Sequence, residues 1–180
     1  VLKECPRRAF IGALAAAIPV LAAPRRLIAF ATSGTRALTF THTHTGEHLA
    51  VEYFSHGEYL QDALATIDYF LRDFRTGDVC SIDTGLIDFL HGLAGLTQTT
   101  RPFQVISGYR SPATNEMLRH RTEGVAAGSL HMAGQAIDIR LADVPLVKLQ
   151  RAALEARRGG VGYYPASDFV HVDTGRVRSW

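Results

Sequence analysis

Cysteine, methionine and tryptophan are scarce in this 180-residue chain, which has two, two and one of them. Cys5 and Cys80 are too few for a thiolate zinc cluster, so cysteine spacing says nothing about a metal site. Neither charge sign dominates: 19 Lys and Arg against 17 Asp and Glu give a net charge of +2. Beyond the first thirty or so residues, no run of Lys and Arg is interleaved with aromatics, so a nucleic-acid surface has no basis. Long apolar runs are missing too. The apolar stretch near the N-terminus is cut by Pro19 and Pro24, short of the ~20 residues that a membrane-spanning helix needs. There is no internal repeat, linker or low-complexity segment. What is present, 47% apolar and 20% charged residues, is the balance of a soluble globular chain long enough for one domain.

The first thirty-one residues read as an address. Arg7-Arg8 followed by Ala9-Phe10-Ile11 and a short alanine-rich apolar stretch has the layout of a secretory leader. The adjacent arginines are those of a twin-arginine signal. Ala29-Phe30-Ala31 places small residues where a signal peptidase reads, so residues 1–31 are assigned as leader and 32–180 as the mature domain. Arg25-Arg26 also fits the flank of an uncleaved anchor, and either way the domain faces the periplasm.

In the mature part, Leu38, Phe40, His42 and His44 alternate onto one face, and Leu49, Val51 and Tyr53 alternate again after Thr45-Gly46-Glu47-His48. This predicts a β-hairpin. Leu60, Leu64, Ile67, Leu71 and Phe74 have helical spacing over 55–74, and a second helix is predicted from about Asp83, as cap, to Leu96. Phe103-Gln104-Val105-Ile106 reads as a strand and Ser111-Pro112 opens a helix. Thr122 to Gly128 is a glycine- and alanine-rich loop, followed by a strand at Ala136-Ile137-Asp138-Ile139. A helix from Pro145 to Arg158 closed by Gly159-Gly160 and two last strands, 161–164 and 169–173, complete the chain. The order predicts a single α+β domain with a small antiparallel sheet flanked by helices.

Asp138 interrupts an apolar strand and His171 interrupts Phe169-Val170-x-Val172, while His131 lies in Ser129-Leu130-His131-Met132-Ala133-Gly134. A buried carboxylate costs several kcal/mol unless it is paired or bound to a metal. A lone histidine among apolar residues is more often a hydrogen-bonded core residue. Two neutral imidazoles and one carboxylate together form the three-ligand set of a catalytic zinc, with the fourth position open to water. His42, His44 and His48 offer a rival metal site, weakened by the lack of an interleaved carboxylate.

Three segments carry a resemblance: Ser107-Gly108-Tyr109-Arg110-Ser111-Pro112, the pattern Ser-x-His-x-x-Gly-x-Ala-x-Asp over 129–138, and Phe169-Val170-His171-Val172-Asp173. They resemble the zinc peptidases of the lysostaphin, D-Ala-D-Ala metallopeptidase and hedgehog group. Gly160-Val161-Gly162-Tyr163-Tyr164-Pro165 and 170–178 are similar to the MepK-type murein endopeptidase branch of that group. The resemblance covers nearly the whole mature chain. It implies one Zn²⁺ on His131, Asp138 and His171, and an Arg110 that reaches the scissile carbonyl or a substrate carboxylate, where the bland alternative is an exposed ion pair. It implies hydrolysis of cross-links between peptidoglycan stem peptides, with no nucleic acid and no stable membrane insertion after leader removal. D,D-carboxypeptidase or dipeptidase action on D-Ala ends, or a non-catalytic zinc-bearing wall-binding domain, are the alternatives.

Ser129 is a candidate partner of a ligand or of substrate, or a loop cap. Tyr163 and Tyr164 are candidate cleft residues beside His171, Tyr164 as the substrate contact, while a packed aromatic pair is the more ordinary expectation. Two carboxylates compete as general base. Asp168 stands three positions before His171, as an acidic residue does in several members of the wider group, but strand alternation sends it to the other face unless the chain bends. Asp173 shares the face of His171, so it can reach activated water or orient the imidazole, and is slightly preferred.

Overall fold

The computed structural model describes residues 34–121 and 126–180; the proposed leader and the first part of the glycine-rich loop lie outside the described residues. The elements in chain order are β1 (Arg36–His42), β2 (His48–Ser55), β3 (Glu58–Tyr59), α1 (Gln61–Phe70), α2 (Thr84–Thr97), β4 (Phe103–Ser107), α3 (Pro112–Arg121), β5 (Ala136–Leu141), α4 (Leu146–Ala156), β6 (Gly160–Tyr164), β7 (Phe169–Asp173) and β8 (Arg178–Ser179). Two 3₁₀ turns, Leu130–Ala133 and Pro165–Ser167, precede β5 and β7.

The architecture is α+β, as the pattern predicts, but the sheet is larger than expected. Among the described residues it has eight strands in the order β3-β2-β1-β4-β5-β7-β6-β8. Most pairs are antiparallel, while β1 with β4 and β6 with β8 run parallel. The β1–β4 pair requires a crossover, supplied by α1 and α2. One face of the sheet carries Phe40, Val105, Ile137, Ile139, Val170 and Val172, all buried. Helix α1 packs on β2, α2 on β1, and α4 on β5, β6 and β7, so the helices cover that face. Leu86, Leu90 and Leu93 of α2 and Leu149 and Ala153 of α4 complete the core. Burying each large aliphatic side chain stabilises the fold by about 1.5–3 kcal/mol.

The opposite face at the centre of the sheet carries the polar residues. Asp138 on β5 lies opposite His171 on β7, between the apolar pairs Ile137–Val172 and Ile139–Val170. Strand alternation thus sends isoleucine and valine to the helices, and Asp138 and His171 together to the other side. A bulge in β4 adds to this: Val105 pairs with Ile139, but Ser107 pairs with Asp138, so the extra residue turns Ser107 toward the carboxylate.

Several element ends differ from the pattern. Helix α1 stops at Phe70, short of the expected 74, because the Asp73 carboxylate and backbone build a turn of their own. Arg75 N donates to Asp73 Oδ1 (3.0 Å), Asp73 N to the Asp78 carbonyl and Gly77 N to the Asp73 carbonyl. Helix α2 starts as expected, with Asp83 Oδ1 accepting from Gly85 N at 2.8 Å. Helix α4 is closed by Arg157 in the left-handed conformation, not by the glycine pair, since Gly160 already opens β6. A further strand, β8, follows the two expected to be last.

Candidate metal centre and its cleft

His131 sits in the 3₁₀ turn before β5, which Gly134 closes with φ 67°; a Cβ there would collide with the Ser81 carbonyl. This turn lays the imidazole against the bend that follows β4. His131 Nδ1 donates to the Gly108 carbonyl at 2.7 Å. Because a carbonyl only accepts, the ring proton is fixed on Nδ1 and the Nε2 lone pair faces the sheet. Gly108 is required at that bend: a Cβ would come within 2.6 Å of the Leu71 carbonyl, which accepts Tyr109 N.

The second imidazole is fixed the same way by a different partner. His171 Nε2 donates to Asp173 Oδ2 at 3.1 Å, which leaves the Nδ1 lone pair pointing inward. His131 Nε2 and His171 Nδ1 are 3.2 Å apart. Asp138 Oδ1 lies 2.9 Å from His171 Nδ1 and 3.2 Å from His131 Nε2. With a cation among them, three electron pairs converge on one point; without one, a proton on His171 Nδ1 donated to Asp138 Oδ1 at 2.9 Å fills the same space. Ligands held about 2.0–2.1 Å from one ion at the tetrahedral angle lie about 3.3 Å apart, so the donor set and its spacing fit such an ion. Among the described residues this is the one group of three or more His, Cys, Asp or Glu placed to share a metal.

The electrostatics suit that purpose. Burial pushes the pKa of His131 down and keeps it neutral. Burial would raise Asp138, but His131, His171 and Arg110 outweigh it and hold the carboxyl far below the ordinary range. His171 differs: burial would lower it, but its bonds to Asp138 and Asp173 raise it, so a proton competes with a cation for this ring. Arg110 Nη2 donates to Asp138 Oδ2, and its Nε to Ser107 Oγ at 2.9 Å, so the guanidinium grips the outer oxygen while Oδ1 faces the seat.

A cleft of about 550 Å³ opens over the three residues, with Ser129, Arg110 and Tyr164 in its lining. A family model described as peptidoglycan L,D-endopeptidase MepK matches residues 30–180.

The chain belongs to the MepK family. Peptidoglycan L,D-endopeptidase MepK of Escherichia coli (strain K12) is 46% identical over 173 residues, covering 94% of this chain and 93% of that protein. The probable peptidoglycan L,D-endopeptidase MepK of Haemophilus influenzae is 41% identical over 172 residues, covering 94% and 91%.

In this MepK-family domain the two candidate bases are placed differently. Asp173 is fully buried and committed: Oδ1 accepts from Gly160 N (3.0 Å) and Gly175 N (2.8 Å), and Arg178 donates to both oxygens (3.1 and 2.7 Å). Burial would raise its pKa, but His171, Arg178 and these amides hold it well below the carboxylate range. Its free edge meets His171 and not the metal seat. The chain does bend before β7, with Asp168 at φ 54°, and this brings Asp168 back to the ligand face. There it accepts from Arg140 Nη1 at 2.7 Å and is exposed, while its neighbours Ser167 and Phe169 line the cleft.

Ser129 lines the cleft and makes no capping bond with its side chain. The expected aromatic pair is split: Tyr163 packs against the core and Tyr164 faces the cleft, its ring stacked on Phe169 at 4.6 Å. The rival histidines do not converge. His42 is buried, and its Nδ1 accepts from the amides of His44 and Thr45 (3.2 and 3.4 Å). His44 stacks on Phe74 and His48 bonds Thr41.

Among the cleft residues that escaped the sequence reading are His44 as a wall residue, Arg75, Arg178 and Trp180. Trp180 stands 5.3 Å from the His171 ring and donates its Nε1–H to the Tyr164 hydroxyl at 2.7 Å. The pairing of β8 beside β6 puts it there, and a two-residue strand leaves no periodicity to read.

Proposed function

We propose that this chain is a zinc-dependent murein endopeptidase that cuts L,D amide bonds between stem peptides in the periplasm. The observation that carries the proposal is the convergence of His131 Nε2, His171 Nδ1 and Asp138 Oδ1 beneath an open cleft. The names of the MepK relatives supply the substrate and the bond type. The lysostaphin, D-Ala-D-Ala peptidase and hedgehog resemblance supports zinc, as does the nitrogen and oxygen donor set.

His131, Asp138 and His171 hold the zinc ion, which when bound supplies Lewis-acid activation of water and of a peptide carbonyl. Gly108 and Asp173 keep each imidazole in the tautomer that presents a lone pair. Arg110 keeps Asp138 ionised and turned inward, and its remaining Nη1 donors are available to a substrate carbonyl oxygen as negative charge develops there. Tyr164, Ser129 and Trp180 orient the peptide along the cleft. Residues 1–31 direct the chain through the twin-arginine route, which carries folded proteins. Replacing Arg7 and Arg8 by lysine is expected to retain the protein in the cytoplasm on fractionation.

The test is incubation of metal-free and zinc-loaded protein with purified sacculi, followed by chromatographic separation and mass analysis of the products. The expected result is cleaved cross-links from the zinc form alone, abolished by chelator. Release of single D-Ala residues would make it a carboxypeptidase, and no product from fully loaded protein would make it a binding domain.

A further inference from the structure

Among the described residues three guanidinium groups line the cleft, and two of them are engaged by carboxylates. Arg110 grips Asp138 and Ser107, and Arg178 grips Asp173. Arg75 forms an ion pair with no carboxylate among the described residues. The one carboxylate that acts on its charge, Asp73, is buried and accepts from the amides of Arg75 itself and of Ser111, at 3.0 and 2.8 Å.

The group is nonetheless held in place. The Arg75 guanidinium lies 4.1 Å above the Phe74 ring, and Phe74 is stacked on His44 at 4.4 Å with 11° between the planes. The turn that carries Arg75 is pinned by the Asp73 bonds to Asp78 and Gly77 (2.9 and 2.7 Å), and by Asp73 to the start of α3. Stacking on an aromatic face fixes the guanidinium plane and leaves its N–H edge open, the geometry that receives a carboxylate through two parallel bonds. Burial and the neighbouring Arg110 both disfavour its charge, and Asp73 only partly offsets them.

We propose that Arg75 binds a free carboxylate of the stem peptide and makes the cleft select free-acid stems over amidated ones. This rests on the murein reading of the site and adds a specificity residue to it. The test uses a synthetic stem peptide prepared as the free acid and with each carboxyl amidated in turn. Binding to the zinc-loaded wild type, Arg75→Gln and Arg75→Lys is measured by calorimetry, beside KM and kcat on cross-linked fragments of both kinds.

Amidation of one carboxyl is expected to weaken wild-type binding about tenfold, and the same carboxyl identifies which part of the stem faces Arg75. In Arg75→Gln that preference vanishes, with KM for acid substrates up about tenfold and kcat within about twofold, and Arg75→Lys restores part of it. The inference is overturned if no amidation affects wild-type binding, or if Arg75→Gln keeps the wild-type preference. Failure to cleave any fragment, with acid-selective binding intact, would sink the endopeptidase reading and leave Arg75 as a carboxylate site.

Discussion

Replacing Asp173 by asparagine separates two roles for this residue. The carboxylate accepts five hydrogen bonds, from Gly160 N, Gly175 N, two Arg178 nitrogens and His171 Nε2. Asparagine has the same shape and its oxygen keeps the glycine amides, but its NH₂ then faces His171 Nε2 and Arg178 Nη2, both donors. The imidazole relieves the clash only by moving its proton to Nδ1, the atom aimed at the metal seat. Losing the group that orients a metal-binding histidine costs about 10–100-fold in metal affinity, or about 1.4–2.7 kcal/mol. The expected result for Asp173→Asn is therefore zinc affinity lowered by that factor in competition with a chromogenic chelator, with native circular dichroism. Saturating zinc should recover part of the activity. Zinc affinity within threefold of wild type, together with kcat down a hundredfold or more, would refute the reasoning and make Asp173 the proton acceptor.

Gly108→Ala is expected to displace the Leu71 carbonyl and loosen the His131 anchor, lowering both melting temperature and zinc affinity; unchanged values in calorimetry and chelator competition would count against a steric requirement there. Asp168→Asn is expected to change kcat less than threefold, because an exposed pair with Arg140 contributes under about 1 kcal/mol; a hundredfold loss with zinc affinity intact would give Asp168 the proton-transfer role. The Asp73 carboxyl would be raised by burial, but Thr114, Ser111 and Arg75 outweigh this and lower it from the ordinary 3.8. A depressed carboxylate stabilises the fold above its unfolded pKa and loses that contribution as pH falls through the folded one. Asp73→Asn should therefore lie about 2 kcal/mol below wild type in urea unfolding at pH 7, with the gap narrowing below about pH 4. A gap independent of pH would contradict this.

The convergence of His131, Asp138 and His171 was legible in part: Asp138 and His171 are the polar interruptions of two strands that turn out to be paired neighbours, and His131 lies in the glycine-containing motif just before the first of them. The α2 cap was legible because Asp83 precedes a helical stripe. What could not be read depends on side chains that compete with the backbone or on pairing across distance. The early end of α1 is set by the Asp73 carboxylate, and hydrophobic spacing through Phe74 gave no sign of it. The parallel pairing of β1 with β4, and of β8 with β6, leaves no local trace, so the sheet was underestimated and Trp180 and Arg178 went unnoticed. The grip of Arg110 on Asp138 needed the β4 bulge to be seen. The placement of Asp168 hinges on its own left-handed backbone, a bend that alternation alone cannot foresee.

The brace on His171 is built from residues far along the chain, with Arg178 clamping Asp173 after β8 has docked beside β6. A ribosome delivers His131 and Asp138 some forty residues earlier, when they can form only half a cup. A metal that needs all three side chains could settle there only after residue 171 has been made, so a chain stalled earlier would hold at most half of the site.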